Sequence, residues 1–387
     1  MIEVTAKLIR GPVYLSGEQI ECAITFSHPK SAAHKVSQSH NDSFECLAWA
    51  SAQINCQCTT DNKVKKQVDK GNNLKHSETS LAMCTQDVGH IEIATKPRIL
   101  FCDLRLSPGQ SRTFIYREKI PNDAPPSYRG QLVKYSYKVI VGMQRVNNAI
   151  KLLKVPIRVL PVNLYGLGDA ACLCNDTSEE LSPANPFLEV NEKEKETPFE
   201  FALQALQNIT ARRNPNFYMI SNTWGKVARF CLFKPSYKLG EDIIGTFDFT
   251  MASVKCVQVS VSLQCEEETT IKEAAEKNNQ IQIVTFSKHH EVCLGLQYTQ
   301  LILPIPLHVT PAFTTQLVSL KWRLHFEFVT STSKELNGPA VDDLEWRAPI
   351  DLPIETMVWS LPIKLFSTSP VQVAQGLQAN TCYKLVI

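Results

Sequence analysis

The clearest pattern in this sequence lies between Gln316 and Val329, where apolar and polar residues alternate. The apolar side chains fall on one face of an extended chain: Leu320, Trp322, Leu324, Phe326 and Phe328. The polar side chains fall on the opposite face: Lys321, Arg323, His325 and Glu327. A period of two residues is typical of a β-strand with one buried face, whereas a helix would scatter these aromatic rings around its circumference. The pattern therefore predicts a long strand that crosses a whole domain.

The first half of the chain repeats this pattern together with the segments around it. Residues 131–141 alternate in the same way, and a Tyr-x-x-Gly-Glu-x-Ile motif occurs at 14–20 and again at 237–243. Further along each half, Val155–Val159 matches Leu361–Leu365. Three matching segments in one order indicate a duplicated domain, and so long a period indicates two tandem domains rather than a solenoid.

Other short apolar segments predict a similar number of strands in each half. In the first half, residues 1–26 contain two strands around the motif, the second of which is Gln19–Phe26. The others are Ala48–Cys58, Ile99–Leu106, Phe114–Ile120, Leu132–Val141 and Lys151–Leu160. In the second half they are Lys226–Phe233, Ile243–Thr250, Val254–Leu263, Ile281–Ser287, Thr299–Leu303, Leu317–Val329 and Met357–Phe366. Such sets of short strands are typical of β-sandwiches, so the predicted fold class is all-β with two tandem sandwich domains.

The predicted boundaries are 1–160 for the first domain, 161–222 for a linker, 223–367 for the second domain and 368–387 for a polar tail. Within the linker, apolar residues of Phe199–Arg212 recur at spacings of three and four, which predicts an amphipathic helix. The pattern leaves open whether this helix packs on a domain or on a partner.

Composition narrows the function classes without naming one. A formal net charge of +2 on 387 residues gives no reason to expect a nucleic acid as partner. The sequence contains no run of about 18 apolar residues, so no membrane span is predicted. The polar segments 27–43 and 59–90 are predicted to be long loops. The first residues lack the apolar core of a signal peptide, and the thirteen cysteines have no regular spacing. These two observations predict a cytosolic protein with mostly buried, reduced thiols.

No motif predicts a catalytic, cofactor or metal site. The two Cys-x-Cys pairs, Cys56/Cys58 and Cys172/Cys174, have the wrong spacing for structural zinc, and core packing is the preferred interpretation. His289-His290 is predicted to lie in a break between strands, and the sequence has no G-x-S-x-G and no phosphate-binding glycine loop.

The sequence at 125–128, Pro-Pro-Ser-Tyr, has two interpretations. It matches the PPxY type of ligand that WW domains bind as a polyproline II helix. The equivalent segment of the second half is Thr310–Phe313, which favours a repeated structural turn that leads into a core strand. The structural turn is the preferred interpretation.

Lys321, Arg323 and His325 are the candidate protein-interface residues. They form a basic row opposite the apolar row of the same strand. Such a row is usually the solvated face of a strand, but arginine is favoured at protein interfaces. Both interpretations stay open at this stage.

Two tandem sandwiches with the repeated motif resemble the arrestin-like superfamily, and the segment 127–138 is similar to its characteristic strand. Four further segments resemble the Rgp family: Leu47–Ile54, Ile99–Leu106, Asn185–Leu188 and Ser319–Val329. The resemblance covers about residues 1–370. The polar core of arrestins has no equivalent here, so phosphate sensing is not expected.

The resemblance to the Rgp family implies a non-catalytic subunit of a heteromeric guanine-nucleotide exchange factor. In that family the partners are a large Ric-type subunit, in an obligate heterodimer, and a Golgi Rab GTPase of the Rab-six kind. The implied protein is cytosolic, is recruited peripherally to Golgi membranes for retrograde endosome-to-Golgi and intra-Golgi traffic, and binds no nucleic acid and no cofactor. The alternative is an arrestin-type trafficking adaptor that binds cytoplasmic tails of membrane cargo by strand addition.

Overall fold

A computed structural model describes residues 1–30, 44–60, 89–162, 198–270, 281–333, 336 and 351–387. The Cys172/Cys174 pair, the segment 185–188 and most of the predicted loops 27–43 and 59–90 lie outside these residues. Backbone contacts divide the chain into two compact units. Unit 1 comprises Met1–Pro161 and Ser369–Ile387, and unit 2 comprises Val162–Thr368.

Unit 1 begins with ten strands: β1 (Glu3–Leu8), β2 (Val13–Leu15), β3 (Gln19–Ser27), β4 (Glu45–Thr60), β5 (His90–Ala94), β6 (Arg98–Leu106), β7 (Ser111–Lys119), β8 (Tyr128–Arg129), β9 (Val133–Gln144) and β10 (Lys151–Leu160). Unit 2 begins with helix α1 (Pro198–Ala211). Its strands are β11 (Asn216–Asn222), β12 (Gly225–Leu232), β13 (Ser236–Lys238), β14 (Asp242–Asp248), β15 (Lys255–Thr269), β16 (Ile281–Val292), β17 (Tyr298–Pro304), β18 (Phe313–Thr314), β19 (Val318–Ser331) and β20 (Ile354–Phe366). Helix α2 (Pro370–Gly376) and strand β21 (Cys382–Val386) return to unit 1.

Each unit contains two sheets, and the strand orders of the two units correspond. The smaller sheets have the orders β21-β1-β3-β7 and β11-β12-β14-β17. The larger sheets have the orders β2-β10-β9-β4-β5 and β13-β20-β19-β15-β16, with β8 on β9 and β18 on β19 in equivalent places. The predicted all-β, sandwich-like fold class and the predicted duplication are therefore confirmed.

The duplicated motif forms the same turn in both units. Gly17 and Gly240 have φ angles of +84° and +81°, a left-handed conformation that glycine adopts without steric cost. The carboxylate that follows each glycine accepts a hydrogen bond from the backbone N–H three residues earlier, Leu15 to Glu18 at 2.9 Å and Lys238 to Glu241 at 3.0 Å. The motif therefore encodes a closed turn that connects β2 to β3 and β13 to β14, just after the parallel pairs β2–β10 and β13–β20.

The core of unit 2 is a cluster of aromatic rings between its two sheets. Phe326 of β19 is fully buried, and its ring centroid lies 4.7 Å from Trp359 and 5.0 Å from Phe230. Phe247 and Phe328 extend this cluster on either side. The apolar row of the predicted strand therefore faces the interior, which leaves Lys321, Arg323 and His325 on the outer face of the larger sheet.

Three segments differ from the sequence-based assignments. Residues 368–387 were assigned to a separate tail, but β21 pairs antiparallel with β1, with Tyr383 and Leu385 half-buried on one face and Cys382, Lys384 and Val386 exposed on the other. Residues 216–222 were assigned to the linker, but β11 is the edge strand of the smaller sheet of unit 2. His289 and His290 lie within β16, so the predicted break there is wrong, because a register shift opposite Leu263 lets the strand continue.

Helix α1 is confirmed within one residue of its predicted bounds. Neither described helix is long and apolar enough to cross a membrane.

Candidate protein-interaction surfaces

The predicted basic row lies on the outer face of the larger sheet of unit 2, where it forms ion pairs with carboxylates of the neighbouring strand. Lys321 Nζ lies 2.9 Å from Glu268 Oε2, and Arg323 Nη1 lies 3.1 Å from Glu266 Oε2. His325 hydrogen-bonds Ser360 through Nδ1 at 3.2 Å. The antiparallel register of β15 and β19 brings Glu266 and Glu268 close to Lys321 and Arg323, and the register of β19 and β20 places Ser360 opposite His325.

These contacts largely neutralise the row. The hydrogen bond to Glu268 raises the pKa of Lys321, which keeps its ammonium charged. Lys321 is 63% exposed, whereas the Arg323 side chain is 26% exposed and also donates from Nε to Gln264 at 3.2 Å. Exposed ion pairs of this kind contribute little to affinity, although they can influence the rate at which charged partners associate.

The smaller sheet of unit 2 presents a different outer face. Five large side chains on this face are between 43 and 63% exposed, and together we call them the outer apolar face: Phe217, Met219, Ile244, Tyr298 and Ile302. Ile244 and Ile302 are direct partners across β14 and β17. At the opposite edge of the same face, Phe217 of β11 is the cross-strand partner of Cys231. Cys231 also faces outward, but it is only 8% exposed.

Arg229 lies within this outer face, on β12 between Met219 of β11 and Asp248 of β14. The guanidinium carbon of Arg229 lies 4.4 Å from the centroid of the Phe217 ring, a cation–π geometry. Arg213 lines a groove beside Ile244, just after the end of α1. Asp248 of β14 lies directly across from Arg229, and hydrogen bonds from Thr250 together with the charge of Arg229 lower the pKa of that carboxyl.

Helix α1 packs on unit 2 beside the duplicated motif. Leu206 and Thr210 are buried, and Lys234 Nζ donates to the carbonyl oxygen of Thr210 at 3.0 Å. The same ammonium lies 2.7 Å from Glu241 Oε2 and 4.9 Å from the centroid of the Tyr237 ring. A cation at the last carbonyls of a helix is stabilising because these groups carry partial negative charge. The helix and the motif turn enclose a groove of about 800 Å³.

The Pro-Pro-Ser-Tyr segment is part of the sheet of unit 1. Pro126 is buried, Tyr128 pairs with Tyr135 of β9, and the Ser127 N–H donates to the carbonyl oxygen of Val159 at 2.7 Å. In unit 2 the equivalent segment accepts a hydrogen bond from Trp322 Nε1 at the carbonyl oxygen of Thr310, at 3.1 Å. These contacts confirm the structural-turn interpretation.

The cysteine and histidine candidates are also structural. Cys56 and Cys58 are buried on β4, and burial raises the pKa of Cys58 to about 12. His290 hydrogen-bonds Ser260 on the neighbouring strand at 2.9 Å. Across the described ranges, no group of three metal-ligating side chains converges.

Sequence reasoning missed the outer apolar face. Its signal was present in residues 216–222, where Phe217 and Met219 alternate with the inward-facing Tyr218 and Ile220. Because both faces of this strand carry apolar residues, the period-two pattern is absent, and the segment was assigned to the linker.

Comparison with known proteins defines the class of this two-sandwich chain. The model of the Rgp1 family matches residues 44–166 and 174–331. The chain is similar to RAB6A-GEF complex partner protein 2 of Homo sapiens, with 43% identity over 384 residues and 96% coverage of each chain. It is equally similar to the Bos taurus protein of that name, with 43% identity over 399 residues, 100% of this chain and 98% of the relative. The chain therefore belongs to the Rgp1 family.

Proposed function

We propose that this protein is a non-catalytic subunit of a heteromeric guanine-nucleotide exchange factor for a Rab GTPase of the RAB6A kind. The observation that carries the proposal is its similarity, over nearly the whole of both chains, to proteins named as partners in a RAB6A-GEF complex. In this proposal a large Ric-type subunit is the obligate partner, and each unit is an arrestin-like sandwich. The complex acts in retrograde traffic after recruitment from the cytosol to the surface of Golgi membranes.

Exchange on a Rab requires protein contacts rather than covalent chemistry. A GTPase that holds GDP with a Kd of about 1 pM binds it by roughly 16 kcal/mol. Opening such a site requires an interface that competes with the nucleotide, and specific interfaces bury more than about 1,000 Å². Two sandwiches with both charged and apolar outer faces offer surface of this extent.

The direct test is release of a fluorescent GDP analogue from the purified Rab. We expect no acceleration with this chain alone and a large acceleration with the chain and the Ric-type subunit together. A Rab of another class serves as the specificity control, and EDTA defines the maximal release rate. Unchanged release with the assembled complex contradicts the proposal, and capture of cargo tails by the chain alone would support the adaptor function instead.

We also propose Lys321, Arg323 and His325 as contacts to a partner in this complex. Because Glu268 pairs with Lys321, exchanging the two residues (Lys321→Glu with Glu268→Lys) keeps the ion pair and moves the charges. We expect this variant to melt like the wild type and to associate more slowly with its partner. An association rate equal to that of the wild type rejects the row as an interface.

A further inference from the structure

We propose that Cys256 and Cys293 of unit 2 form a site of reversible oxidation, at which a hydroperoxide converts their two thiols into one disulfide. Cys256 lies on β15, and Cys293 directly follows the end of the neighbouring strand β16. Both are free thiols, and the two residues are buried, with 6% and 2% exposure. The site is separate from the surfaces described above, so this inference does not depend on the proposed function.

A β-bulge places the two side chains on the same face of the sheet. Val259 points into unit 2, and strict alternation from there would point Cys256 outward. The register of β15 against β19 shifts between Cys256 and Gln258, however, so Val257 is an extra residue and Cys256 turns inward. Cys293 continues the ladder of β15 and β16, because its N–H donates to the carbonyl oxygen of Val257 at 2.8 Å. The two thiols are therefore neighbours across one strand pair.

The two sulfur atoms lie within hydrogen-bonding reach of each other. In the dithiol form, Sγ of Cys256 lies 3.4 Å from the carbonyl oxygen of Gln258, and Sγ of Cys293 lies 3.7 Å from that of Glu291. A hydrogen bond from the Cys256 thiol lowers the pKa of Cys293, although burial and the carboxylate of Glu291 act in the opposite direction. The same hydrogen bond raises the pKa of Cys256. Cys293 is therefore the thiol that forms the nucleophilic thiolate, and Cys256 is the one that resolves it.

The backbone geometry of this strand pair suits a disulfide. Facing residues of antiparallel strands lie about 4.5–5.5 Å apart at Cα, within the range of about 4.4–6.8 Å that a disulfide spans. Closing the bond therefore requires rotation of the two side chains and no separation of the strands.

The duplication shows that the fold does not require cysteine at this position. By the register of β15 with β19 and of β4 with β9, Leu47 of β4 corresponds to Cys256. Leu47 lies opposite Leu104 of β6, and both leucines are buried. Unit 1 thus fills the position with an apolar pair, which has no redox chemistry, whereas unit 2 fills it with two thiols.

The thiols lie just beneath the surface of unit 2. Val292, the last residue of β16, is 60% exposed, and β16 is an edge strand of the larger sheet. Cys293 begins a turn that is closed by a hydrogen bond of 3.0 Å from the Leu296 N–H to the Cys293 carbonyl oxygen. A short turn at the end of an edge strand opens more readily than the core of a sheet. Such an opening admits an oxidant as small as hydrogen peroxide.

The reaction proceeds in two steps. The Cys293 thiolate attacks one oxygen of hydrogen peroxide, so an S–O bond forms while the O–O bond breaks, and the other oxygen leaves as hydroxide and takes up the proton that Cys293 released. The Cys256 sulfur then attacks the resulting sulfenic acid, an S–S bond forms, and the hydroxyl leaves as water with the proton of Cys256. The two sulfurs together lose two electrons, and the peroxide is reduced to two waters. A small dithiol reverses the modification by thiol–disulfide exchange.

The test maps disulfides in the folded, full-length chain. The reduced protein is treated with hydrogen peroxide at neutral pH, its remaining thiols are blocked with N-ethylmaleimide, and it is digested without reduction for mass spectrometry. We expect a linked peptide pair that contains Cys256 and Cys293 and that dithiothreitol separates. Because the bond closes a long loop, the oxidised chain should also melt roughly 5–10 °C higher than the reduced chain.

Two variants serve as matched controls. Cys293→Ser should abolish both the linked pair and the rise in melting temperature. Cys265→Ser removes another buried thiol of β15 and should leave both unchanged. The mapping is made on the wild type, so it decides the question even where a variant fails to fold.

Three outcomes overturn the inference. The first is the absence of the linked pair in a peroxide-treated chain that circular dichroism shows to be folded. The second is sulfinic or sulfonic acid at either cysteine in place of the link. The third is a link that forms only above the melting temperature, because it would then belong to the unfolded chain.

Discussion

Replacing Lys234 by methionine should detach helix α1 from unit 2. The ammonium joins the helix, through the carbonyl oxygen of Thr210 at 3.0 Å, to the motif turn, through Glu241 at 2.7 Å. Methionine keeps the apolar stem against Tyr237 and removes only the charge. Hydrogen bonds to charged groups contribute about 1.5–3 kcal/mol each, and the Lys234 and Glu241 side chains are only 19% and 22% exposed. We therefore expect a loss of about 2–3 kcal/mol in local stability.

Hydrogen exchange measures this loss where it occurs. The amides of residues 206–211 should exchange roughly 30–100-fold faster in the variant, since about 1.4 kcal/mol corresponds to a factor of ten. Lys238→Met is the matched control, because its ammonium lies 3.8 Å from Glu241 and its backbone N–H still donates to that carboxylate. Equal protection of the helix in both variants would refute the role of Lys234.

Three further predictions concern the turn glycine, acid stability and thiol reactivity. Gly240→Ala should cost about 1–2 kcal/mol in urea denaturation because the residue has φ +81°, and an unchanged midpoint would contradict this. Hydrogen bonds from Thr250 lower the pKa of Asp248, so the stability they contribute is present above the ordinary aspartate pKa and lost as pH falls through the folded-state value. Asp248→Asn should therefore reduce the decrease in melting temperature at acidic pH, and an unchanged decrease would contradict the stabilising role of these hydrogen bonds. Iodoacetamide at pH 8 should label exposed thiols first and Cys265 slowly, because burial raises its pKa to about 11; peptide mass spectrometry would reveal any other order. The exposed thiols of the described residues are Cys46, Cys102 and Cys382.

Strands with one buried face and one polar face were predicted most accurately from the sequence. β19 was predicted as Leu317–Val329 and runs Val318–Ser331. β11 was missed because its outer face is also apolar, and β21 because the strand it pairs with is at the other end of the sequence. The break predicted at His289 and His290 arose because the register shift on β16 changes which residues face outward.

The candidate interface was predictable only in part. Alternation along one strand placed Lys321, Arg323 and His325 on an outer face, which the structure confirms. Their neutralisation by Glu266 and Glu268 depends on the register between β15 and β19, which a local pattern does not determine. The outer apolar face combines residues of β11, β14 and β17, so it became visible only when the sheet was assembled.

The pairing of β21 with β1 has a consequence for the order of events during synthesis. The smaller sheet of unit 1 receives its edge strand from residues 382–386, which leave the ribosome after every strand of unit 2. Until then β1 exposes unpaired backbone groups, and such an edge can pair with other chains. Unit 2, whose equivalent strand β11 directly precedes β12, has no such delay. We therefore expect unit 2 to reach its native state first, with unit 1 depending on chaperones for longer although its residues are made earlier.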